Sequence, residues 1–304
     1  MQAAPIRQGR ARRIFAAHGP GYLFLVPWLL GLFALTLGPS LASLYLSFTD
    51  FNLLQAPNWV GINNYVAIAT ADPKFGTSMK VTFLFVAFSV PLKLAFALLV
   101  AVVLNKGMRG LNVYRAIFYL PSLLGGSVAI AVLWRQIFAT DGLINALLAP
   151  FGIAGPSWIS NPKYSLWTII ILAVWQFGSP MIIFLAGLRQ IPVDMYEAAS
   201  LDGASRWRMF YKITLPLLTP VIFFNVVVQT IDAFKAFTPA FVISGGTGGP
   251  IDSTLFYTLY LYQQAFGYFR MGYASALAWI LLVIVALFTA FAFLTSRYWV
   301  HYDD

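Results

Sequence analysis

The side chains most able to do chemistry in this sequence are a few polar groups set inside long apolar runs. Gln176 and Ser179 stand three residues apart in one run. Asn225, Gln229 and Asp232 are spaced four and then three residues apart in the next run. Each spacing places its members on one face of a helix. Polar groups are costly in lipid and usually face the interior of a bundle, so these faces are candidates for the path of a polar solute.

The chemistry of these faces suits a carbohydrate, although other interpretations stay open. Amides and carboxylates supply the paired donors and acceptors that sugar hydroxyls need, and Trp175 can stack on a sugar face. The same groups can instead bond to one another between helices without touching a solute. Asp232 and Lys235 can neutralise each other as an i,i+3 pair, whereas a Lys235 that faces the path favours an anionic solute. Lys93 is isolated in another run, where it either snorkels or faces a partner, and we do not assign it to the path.

Composition places these side chains in a membrane protein. The chain has 304 residues, of which 60% are hydrophobic and 10% charged, whereas ordinary globular domains carry about 25% charged residues. Several apolar runs are long enough to cross a bilayer, since about 20 helical residues at 1.5 Å each span the hydrocarbon core. The sequence therefore predicts an all-α polytopic membrane protein, because a barrel would need short alternating segments.

Six membrane spans are predicted within a single transmembrane domain that covers residues 1–304. They run over about 22–48, 79–104, 114–138, 165–188, 215–243 and 272–296. Arginines precede the first run as in a signal peptide, but the run exceeds the usual h-region of about 7–15 residues, so we interpret it as an uncleaved span. Several spans contain breakers, among them Pro121 and Pro180. Neighbouring helices can satisfy the backbone groups that such breakers free.

Basic residues are divided unevenly between the two sets of loops. Twelve lie in the N-terminal tail, the 105–115 loop, the 189–213 segment and at Arg297, and five lie in the loops of the other side. Positive charge in short loops stays in the cytoplasm, so both termini and the 189–213 segment are expected there. The net charge of +9 then reflects topology and contact with anionic lipid, and we expect no nucleic-acid partner.

Residue content excludes several kinds of site. The chain has no cysteine, so neither a disulfide framework nor a thiolate metal site is possible. His18 and His301 lie near the termini, which excludes a histidine metal centre or proton relay inside the membrane. There is no Gly-x-x-x-x-Gly-Lys-Ser/Thr motif, and the glycine-rich 245–250 run lacks the lysine and is expected outside. We therefore predict no ATP site, no metal and no catalytic residue in this chain.

The 189–213 segment is expected to form a helix–turn–helix on the cytoplasmic surface. Asp194 followed by Glu197 is a capping-box-like start. Gly203 can take the positive φ of a helix C-cap, and Ser205 can cap a second helix. The two helices are expected over 195–201 and 206–213. From these patterns alone, the segment is either a docking element for a soluble partner or an interfacial amphipathic loop without one.

The same segment closely resembles the signature loop of the membrane subunits of bacterial binding-protein-dependent ABC importers. That loop has a Glu-Ala-Ala start, a glycine about four residues later, then an isoleucine and a Leu-Pro pair. The matching residues here are Glu197, Ala198, Ala199, Gly203, Ile213, Leu215 and Pro216. In that family the loop grips the ATPase. The resemblance therefore implies ATPase contacts at Glu197, Ala198, Ala199, Asp202, Gly203, Ala204 and Arg206.

Further stretches resemble the carbohydrate-uptake group, and in particular the maltose- and glycerol-phosphate-type permeases. They cover 46–51, 59–65, 245–250, 259–266 and 272–276. The likeness is greatest to the larger subunit of the maltose permease pair. That subunit has extra N-terminal spans and a large periplasmic insertion that this sequence lacks. The resemblance thus implies the compact six-span form, and it puts in doubt contact with a binding protein through such an insertion.

The resemblance also implies an assembly and a mechanism. It implies a permease of the cytoplasmic (inner) membrane that moves a sugar or related polyol by alternating access. Its partners would be a second, similar permease, two ATPase subunits that carry ATP and magnesium, and an extracytoplasmic binding protein. In the maltose-type family the two spans that flank the loop bear the sugar site. By offset from the loop, Gln176, Ser179, Gln229 and Asp232 fall at or beside those positions.

Two alternative functions remain compatible with the residues. An ion-coupled secondary transporter needs membrane-embedded carboxylates, for which Asp232 is the candidate, and six spans would require a dimer. A non-transport membrane scaffold or receptor would use the 189–213 segment to bind a soluble partner, and would show no solute-dependent ATPase activity.

Overall fold

The computed structural model describes residues 24–107 and 110–301. The arginines of the N-terminal tail, His18, Arg109 and the start of the first predicted span lie outside these residues. Within them the chain is helical, with an isolated β-bridge between Thr49 and Trp59. The helices are α1 (Phe24–Ser47), α2 (Asn63–Thr70), α3 (Pro73–Leu104), α4 (Leu111–Leu124), α5 (Val128–Ile137), α6 (Leu143–Leu148), α7 (Ser165–Trp175), α8 (Gly178–Leu188), α9 (Val193–Leu201), α10 (Arg206–Met209), α11 (Thr219–Phe234), α12 (Thr238–Ser244), α13 (Tyr257–Tyr262) and α14 (Met271–Ser296).

The predicted all-α membrane fold is confirmed, with one change in the shape of a span. Among the described residues, α1, α3, α14 and the unit Thr219–Ser244 are each long and apolar enough to cross a membrane. The residues of the other two predicted spans form bent helix pairs that are long and apolar enough only when each pair is taken together: α4 meets α5 at 96°, and α7 meets α8 at 42°. The third span, predicted over 114–138 with Pro121 as its breaker, therefore bends a few residues later than expected.

Two glycines and a helix-capping serine lie at the bend between α4 and α5. Gly125 and Gly126 are poor helix formers and end α4. Ser127 then has extended backbone and its hydroxyl accepts a hydrogen bond from the Ile130 N–H at 3.3 Å, which caps the new helix. A Cβ on Gly125 would lie 2.2 Å from the Gln176 Cγ. Glycine is therefore required where α4 ends against Gln176.

The break between α7 and α8 follows from Pro180, which has no N–H to donate to the Gln176 carbonyl four residues earlier. The Ser122 hydroxyl of α4 replaces that donor, with its Oγ 2.9 Å from the Gln176 carbonyl oxygen. The same Oγ accepts a hydrogen bond from the Ser179 N–H at 2.9 Å. One side chain of α4 thus satisfies both backbone groups at the break, as membrane interiors require.

Small residues let α8 pack closely on two of its neighbours, α4 and α11. A Cβ on Gly178 would lie 2.3 Å from the Phe118 carbonyl oxygen of α4. A Cβ on Gly187 would lie 2.8 Å from a methyl group of Val221 and 2.9 Å from one of Leu218, at the start of α11. Close backbone approach through small residues is a main source of helix association in membranes. Helix α8 is therefore held between α4 and α11.

Buried apolar side chains form two large clusters along the bundle. One cluster joins α3, α7, α13 and α14 and includes Phe85, Ile170 and Tyr257. The other joins α3, α8 and α11 beside the 189–213 segment and includes Phe184 and Leu218. A gap between the helices lies where these two clusters meet.

The stretches after α1 and before α14 pack against each other. The ring of Phe48 stacks on Trp59 with centroids 5.4 Å apart. The Asn64 side chain donates to the carbonyl oxygens of Ser47 at 2.8 Å and Thr49 at 2.9 Å. A Cβ on Gly272 would lie 2.0 Å from the Thr49 carbonyl oxygen. These contacts explain why the 46–51, 59–65 and 272–276 motifs occur together.

A carboxylate fixes the end of the bundle opposite the 189–213 segment. Asp72 caps α3 by accepting hydrogen bonds from the N–H groups of Lys74 and Phe75. It also accepts hydrogen bonds from the hydroxyls of Tyr260 in α13 and Tyr273 in α14. Burial raises the pKa of Asp72, but these hydrogen bonds together outweigh burial and hold its pKa below the ordinary 3.8. The start of α3 is therefore tied to two later helices.

Replacing Ser122 with alanine tests the hydroxyl bridge. We expect Ser122→Ala to lower stability by about 1–3 kcal/mol, because two backbone groups at a buried break lose their partner. The measurement is the midpoint of thermal unfolding of the purified protein in detergent. Ser40→Ala is the matched control, since the Ser40 hydroxyl only donates to the Thr36 carbonyl of its own helix and should cost less than about 0.5 kcal/mol. Equal midpoints for the two variants would contradict the bridge.

Candidate functional site

A cavity of about 260 Å³ opens where α3, α7 and α11 approach one another; we call it the main cavity. Its polar lining consists of Ser89, Lys93, Gln176, Gln229, Asp232 and Thr238. The apolar part of the wall includes Phe85, Ile169 and Phe237. A few polar groups in a largely apolar concave wall are typical of a small-molecule site. The structure thus brings together three of the predicted path residues, namely Gln176, Gln229 and Asp232.

Gln176 is positioned by the break between α7 and α8. Its side-chain Nε2 donates to the Gly125 carbonyl at 3.2 Å and to the Leu172 carbonyl at 3.3 Å. Among the described residues, no donor bonds to its Oε1. The side chain is therefore held at both amide hydrogens and leaves an acceptor at the cavity wall.

Gln229 and Ser89 have hydrogen-bonding capacity that the protein does not use. Both side chains are buried, with 8% and 2% exposed, and both line the main cavity. Neither makes a side-chain hydrogen bond with the described residues. Buried polar groups are nearly always paired, so these two groups are suited to a polar molecule or to water inside the cavity.

Asn225 is one helical turn from Gln229 but does not line the main cavity. It is fully buried, and its Nδ2 donates to the Val221 carbonyl of its own helix at 3.0 Å. Its Oδ1 is buried and has no hydrogen-bond partner among the described residues. The structure places Asn225 in the helix packing, although it shares a sequence face with Gln229.

Asp232 and Lys235 form the ion pair that their spacing allows. The Lys235 Nζ lies 3.3 Å from the Asp232 Oδ1, and the two side chains are 60% and 59% exposed. Asp232 lines the main cavity, whereas Lys235, just after α11 ends, is not among the residues that line it. The pair also lies at the middle of the span Thr219–Ser244.

Ser179 and Trp175 lie away from the main cavity. The prediction that Gln176 and Ser179 share a face assumed one continuous helix, but α7 ends at Trp175 and α8 begins at Gly178 with a bend of 42°. The indole of Trp175 instead packs on Trp134 of α5, with ring centroids 5.9 Å apart. Neither residue is therefore part of the cavity wall, and the Trp175 side chain serves helix packing.

Lys93 is the cavity residue that the sequence interpretation left aside. It lies 20 residues after Pro73 in the 32-residue helix α3 and lines the main cavity with Asp232. The signal that could have identified it is its isolation within the longest apolar run. An ionisable residue inside a membrane span is a functional candidate by default.

The first helix of the 189–213 segment ends as its sequence predicts. In the turn after α9, Gly203 has φ +74°, and the Ala204 N–H donates to the Ala199 carbonyl at 2.9 Å. A glycine in the left-handed region together with this six-residue bond is the Schellman arrangement. The helix starts earlier than predicted, however, because Val193 follows Pro192 directly and Asp194 lies in the first turn. Asp194 is therefore not the N-cap, but its carboxylate still suits a helix N-terminus.

The second helix of the segment is capped by Ser205, as predicted. Its Oγ accepts a hydrogen bond from the Arg208 N–H at 3.3 Å. The α-helix covers only Arg206–Met209 and continues as a wider π-helical turn over Phe210–Thr214. The Tyr196 hydroxyl lies 2.9 Å from the Thr214 hydroxyl and joins the two helices.

The charged residues of the 189–213 segment remain available to another protein. Exposed side chains are found at Glu197, Ala198, Asp202, Arg206, Arg208, Leu201 and Trp207. None of the charged ones forms an ion pair with a described residue. Ala199 and Ala204 are half-buried at the turn. Exposed Leu201 and Trp207 on a charged surface indicate an interface with lipid or protein.

Comparison with known proteins gives the family. Residues 66–299 match the family described as "Binding-protein-dependent transport system inner membrane component". The chain belongs to this family. The 189–213 segment and the main cavity both lie within the matched residues, and the resemblance inferred from the signature loop is confirmed.

Two relatives and one solved structure are similar to this permease over most of its length. It is 55% identical over 296 residues to "Probable ABC transporter permease protein YesP" of Bacillus subtilis (strain 168), covering 97% of this chain and 96% of that one. It is 32% identical to "Lactose transport system permease protein LacF" of Rhizobium radiobacter, covering 91% and 94%. A chain of a bacterial alginate ABC transporter, solved with an alginate pentasaccharide-bound periplasmic protein, has the same fold, with a TM-score of 0.81, 20% identity and coverage of 95% and 98%.

Gly125→Ala tests the contact that positions Gln176 in this permease. The new Cβ would meet the Gln176 side chain at 2.2 Å and the Pro121 carbonyl oxygen at 2.7 Å. We expect a loss of about 1–3 kcal/mol from overpacking, measured as a lower midpoint of thermal unfolding without solute. Gly126→Ala is the matched control, because no atom lies within 4 Å of its Cβ position. If the two variants unfold at the same temperature, Gln176 is not held as the structure indicates.

Proposed function

We propose that this permease moves a sugar or related polyol through the main cavity, driven by ATP hydrolysis that the 189–213 segment couples to the cavity. Family membership supports an importer subunit that works with a binding protein. The relative named for lactose transport supports a carbohydrate. The polar wall of the main cavity, with free hydrogen-bonding capacity at Ser89, Gln176 and Gln229, supports a hydroxyl-rich solute.

The continuity between the 189–213 segment and the main cavity is the observation that carries the proposal. Helix α8 begins at Gly178, two residues after Gln176, and ends at Leu188, next to the 189–213 segment. Helix α11 follows the segment and carries Gln229 and Asp232. From Thr219 to Gln229 the helix rises about 15 Å. A displacement of the segment is thus transmitted by two packed helices to two sides of the cavity.

The ATPase-docking surface is proposed at the turn between α9 and α10. Its charged groups would be Glu197, Asp202 and Arg206, and its close backbone contacts would come from the small residues beside them. The small residues are Ala198, Ala199, Gly203 and Ala204. Exposed charges around a rigid, glycine-capped turn can provide a specific docking site, because they have no competing partners among the described residues.

A second permease subunit is proposed to cover the face that bears Asp232 and Lys235. The two side chains are about 60% exposed, and they lie at the middle of a membrane span. Charged groups at that depth face protein or a water-filled cavity rather than lipid. The main cavity would then be completed between the two permeases, and the full solute path would include residues of both.

The remaining partners and the location follow from the same proposal. Two ATPase subunits would supply ATP and magnesium, and an extracytoplasmic binding protein would deliver the solute, while this chain carries no cofactor and no catalytic residue. Both termini are proposed to lie in the cytoplasm, because the basic loops are on that side. The protein would lie in the cytoplasmic (inner) membrane, with no nucleic-acid partner.

The geometry does not favour the two alternative functions. An ion-coupled transporter needs a carboxylate free to bind a proton or Na⁺, but Asp232 is held by Lys235. A scaffold or receptor would use the 189–213 segment alone. That function does not account for the polar cavity between the helices to which the segment is joined.

The decisive experiment measures ATPase activity of the whole assembly. The chain is purified with its co-expressed neighbours, placed in lipid nanodiscs, and assayed with and without the binding protein and a panel of sugars. We expect stimulation by one sugar together with the binding protein. An assembly without an ATPase subunit, or one indifferent to every binding protein and solute, would refute the proposal.

Glu197→Lys tests the docking surface. Reversing a charge that pairs with the ATPase should lower solute uptake by about tenfold or more, since losing one partner of an interfacial charge pair costs about 2–5 kcal/mol. Asp194→Lys makes the same charge change one turn earlier on α9, and should alter uptake by about twofold at most. Co-purification of the second permease checks that the spans of both variants assemble. Normal uptake by assembled Glu197→Lys protein would remove Glu197 from the docking surface.

Gln229→Leu tests the solute path. Losing one hydrogen bond to solute should reduce solute-stimulated turnover by about fivefold, and basal ATPase activity by less. Asn225→Leu is the control on the same helix, because Asn225 lies outside the cavity wall and should change both activities by the same factor. Equal losses of both activities in Gln229→Leu would instead assign Gln229 to helix packing.

A further inference from the structure

Lys93 carries an ammonium group in the middle part of the apolar helix α3. Its flanking residues Leu92 and Leu94 are apolar, and it lies 11 residues before the end of α3 at Leu104. That distance is about 16 Å along the helix, and the distance to the other end is longer. Its side chain lines the main cavity between the helices. A charged group so deep in a span usually faces a cavity or a partner charge.

The structure gives Lys93 a cavity but, among the described residues, no carboxylate within ion-pairing distance. Asp232 is the other charged residue of the main cavity, and its carboxylate is already held by Lys235 at 3.3 Å. No described carboxylate lies within 4.0 Å of the Lys93 ammonium, and no described residue accepts a hydrogen bond from it. Two lysines therefore share one carboxylate at this site. The two lysines and the carboxylate together carry one net positive charge at and beside the main cavity.

The neutral polar groups around Lys93 indicate which groups the rest of the ligand should carry. The Ser89 hydroxyl is one helical turn from Lys93 on the same face of α3, and the amides of Gln176 and Gln229 lie on the other walls. Hydroxyl and amide groups match the hydroxyls of a saccharide, whereas a lysine binds an anion as a point charge. A surplus of one charge balances one carboxylate, while a phosphate with nearly two charges would leave the cavity negative.

We propose that Lys93 binds a carboxylate of the transported solute, and that the solute is therefore an acidic saccharide that contains a uronic acid. This inference rests on the proposed function, because it assigns a charge to the solute of the same cavity. Lys93 selects the charged saccharide over its neutral form, and Ser89, Gln176 and Gln229 bind its hydroxyls. Lys235 keeps Asp232 neutralised, so that the cavity wall does not repel the carboxylate.

The test compares acidic saccharides with their neutral esters in the complete assembly. The probes are disaccharides of glucuronic, galacturonic and mannuronic acid, each paired with its methyl ester, which removes the charge and keeps the hydroxyls. The assembly in nanodiscs contains both permeases, the ATPase subunits and the binding protein. For each probe, the concentration that gives half-maximal stimulation of ATPase activity is measured. We expect at least one acid to stimulate the wild-type assembly at about tenfold lower concentration than its ester.

Three variants assign this selectivity to Lys93. Lys93→Met should abolish the preference for the acid, and Lys93→Arg should keep most of it, because the charge remains at the cavity wall. Lys80→Met is the matched control, since Lys80 is exposed near the start of the same helix and does not line the main cavity. It should keep the wild-type preference.

The outcomes separate this inference from the proposed function. Stimulation by neutral saccharides alone would overturn the acidic solute but keep the sugar importer. A Lys93→Met variant that loses its responses to acid and ester by the same factor would show that Lys93 serves packing or an ion pair with the second permease. An assembly that no saccharide stimulates would refute the proposed function, and the role of Lys93 with it.

Discussion

The arrangement of the helices depends on how the free backbone groups at one helix break are hydrogen-bonded. Pro180 frees the Gln176 carbonyl inside a span, where an unpaired backbone group costs several kcal/mol. The Ser122 hydroxyl satisfies that carbonyl and the Ser179 N–H together, which ties α4 to the junction of α7 and α8. Because α4 must approach this closely, glycine is needed at the contact, and Gly178 allows it. The break places Gln176 at the cavity wall and sets the direction of α8, which ends next to the 189–213 segment, so one local constraint helps to position both the cavity and the segment.

Much of the fold was predictable because the relevant signals are local. Long apolar runs specify spans, and the ends of the 189–213 segment follow from the chemistry of Gly203 and Ser205. The 96° bend between α4 and α5 was not predictable, because its position depends on contacts with another helix. Pro121 is a stronger breaker by sequence than Gly125, yet Pro121 lies inside α4. The bend forms at Gly125 because Gln176 occupies the space beside it.

The site was predictable only where a helix runs without interruption. Gln229 and Asp232 lie on one uninterrupted helix, and both reach the main cavity as their spacing indicates. Periodicity failed for Ser179, because a broken helix resets the relation between residues on either side of the break. Lys93 needed a different kind of information. Sequence shows that it is isolated among apolar residues, but only the packing of α3 against α7 and α11 shows that it borders the same cavity as Asp232.

The charges at the middle of the membrane also constrain what must surround this subunit. Asp232 and Lys235 are each about 60% exposed at the centre of their span, and hydrocarbon cannot solvate an ion pair presented in that way. The exposed side of the pair must therefore meet water or polar protein. Lys93 lines the main cavity with Asp232 but lies outside ion-pairing distance of its carboxylate. Under the proposed function, a second subunit would cover the exposed side of the pair, and an anionic group of the solute would balance Lys93.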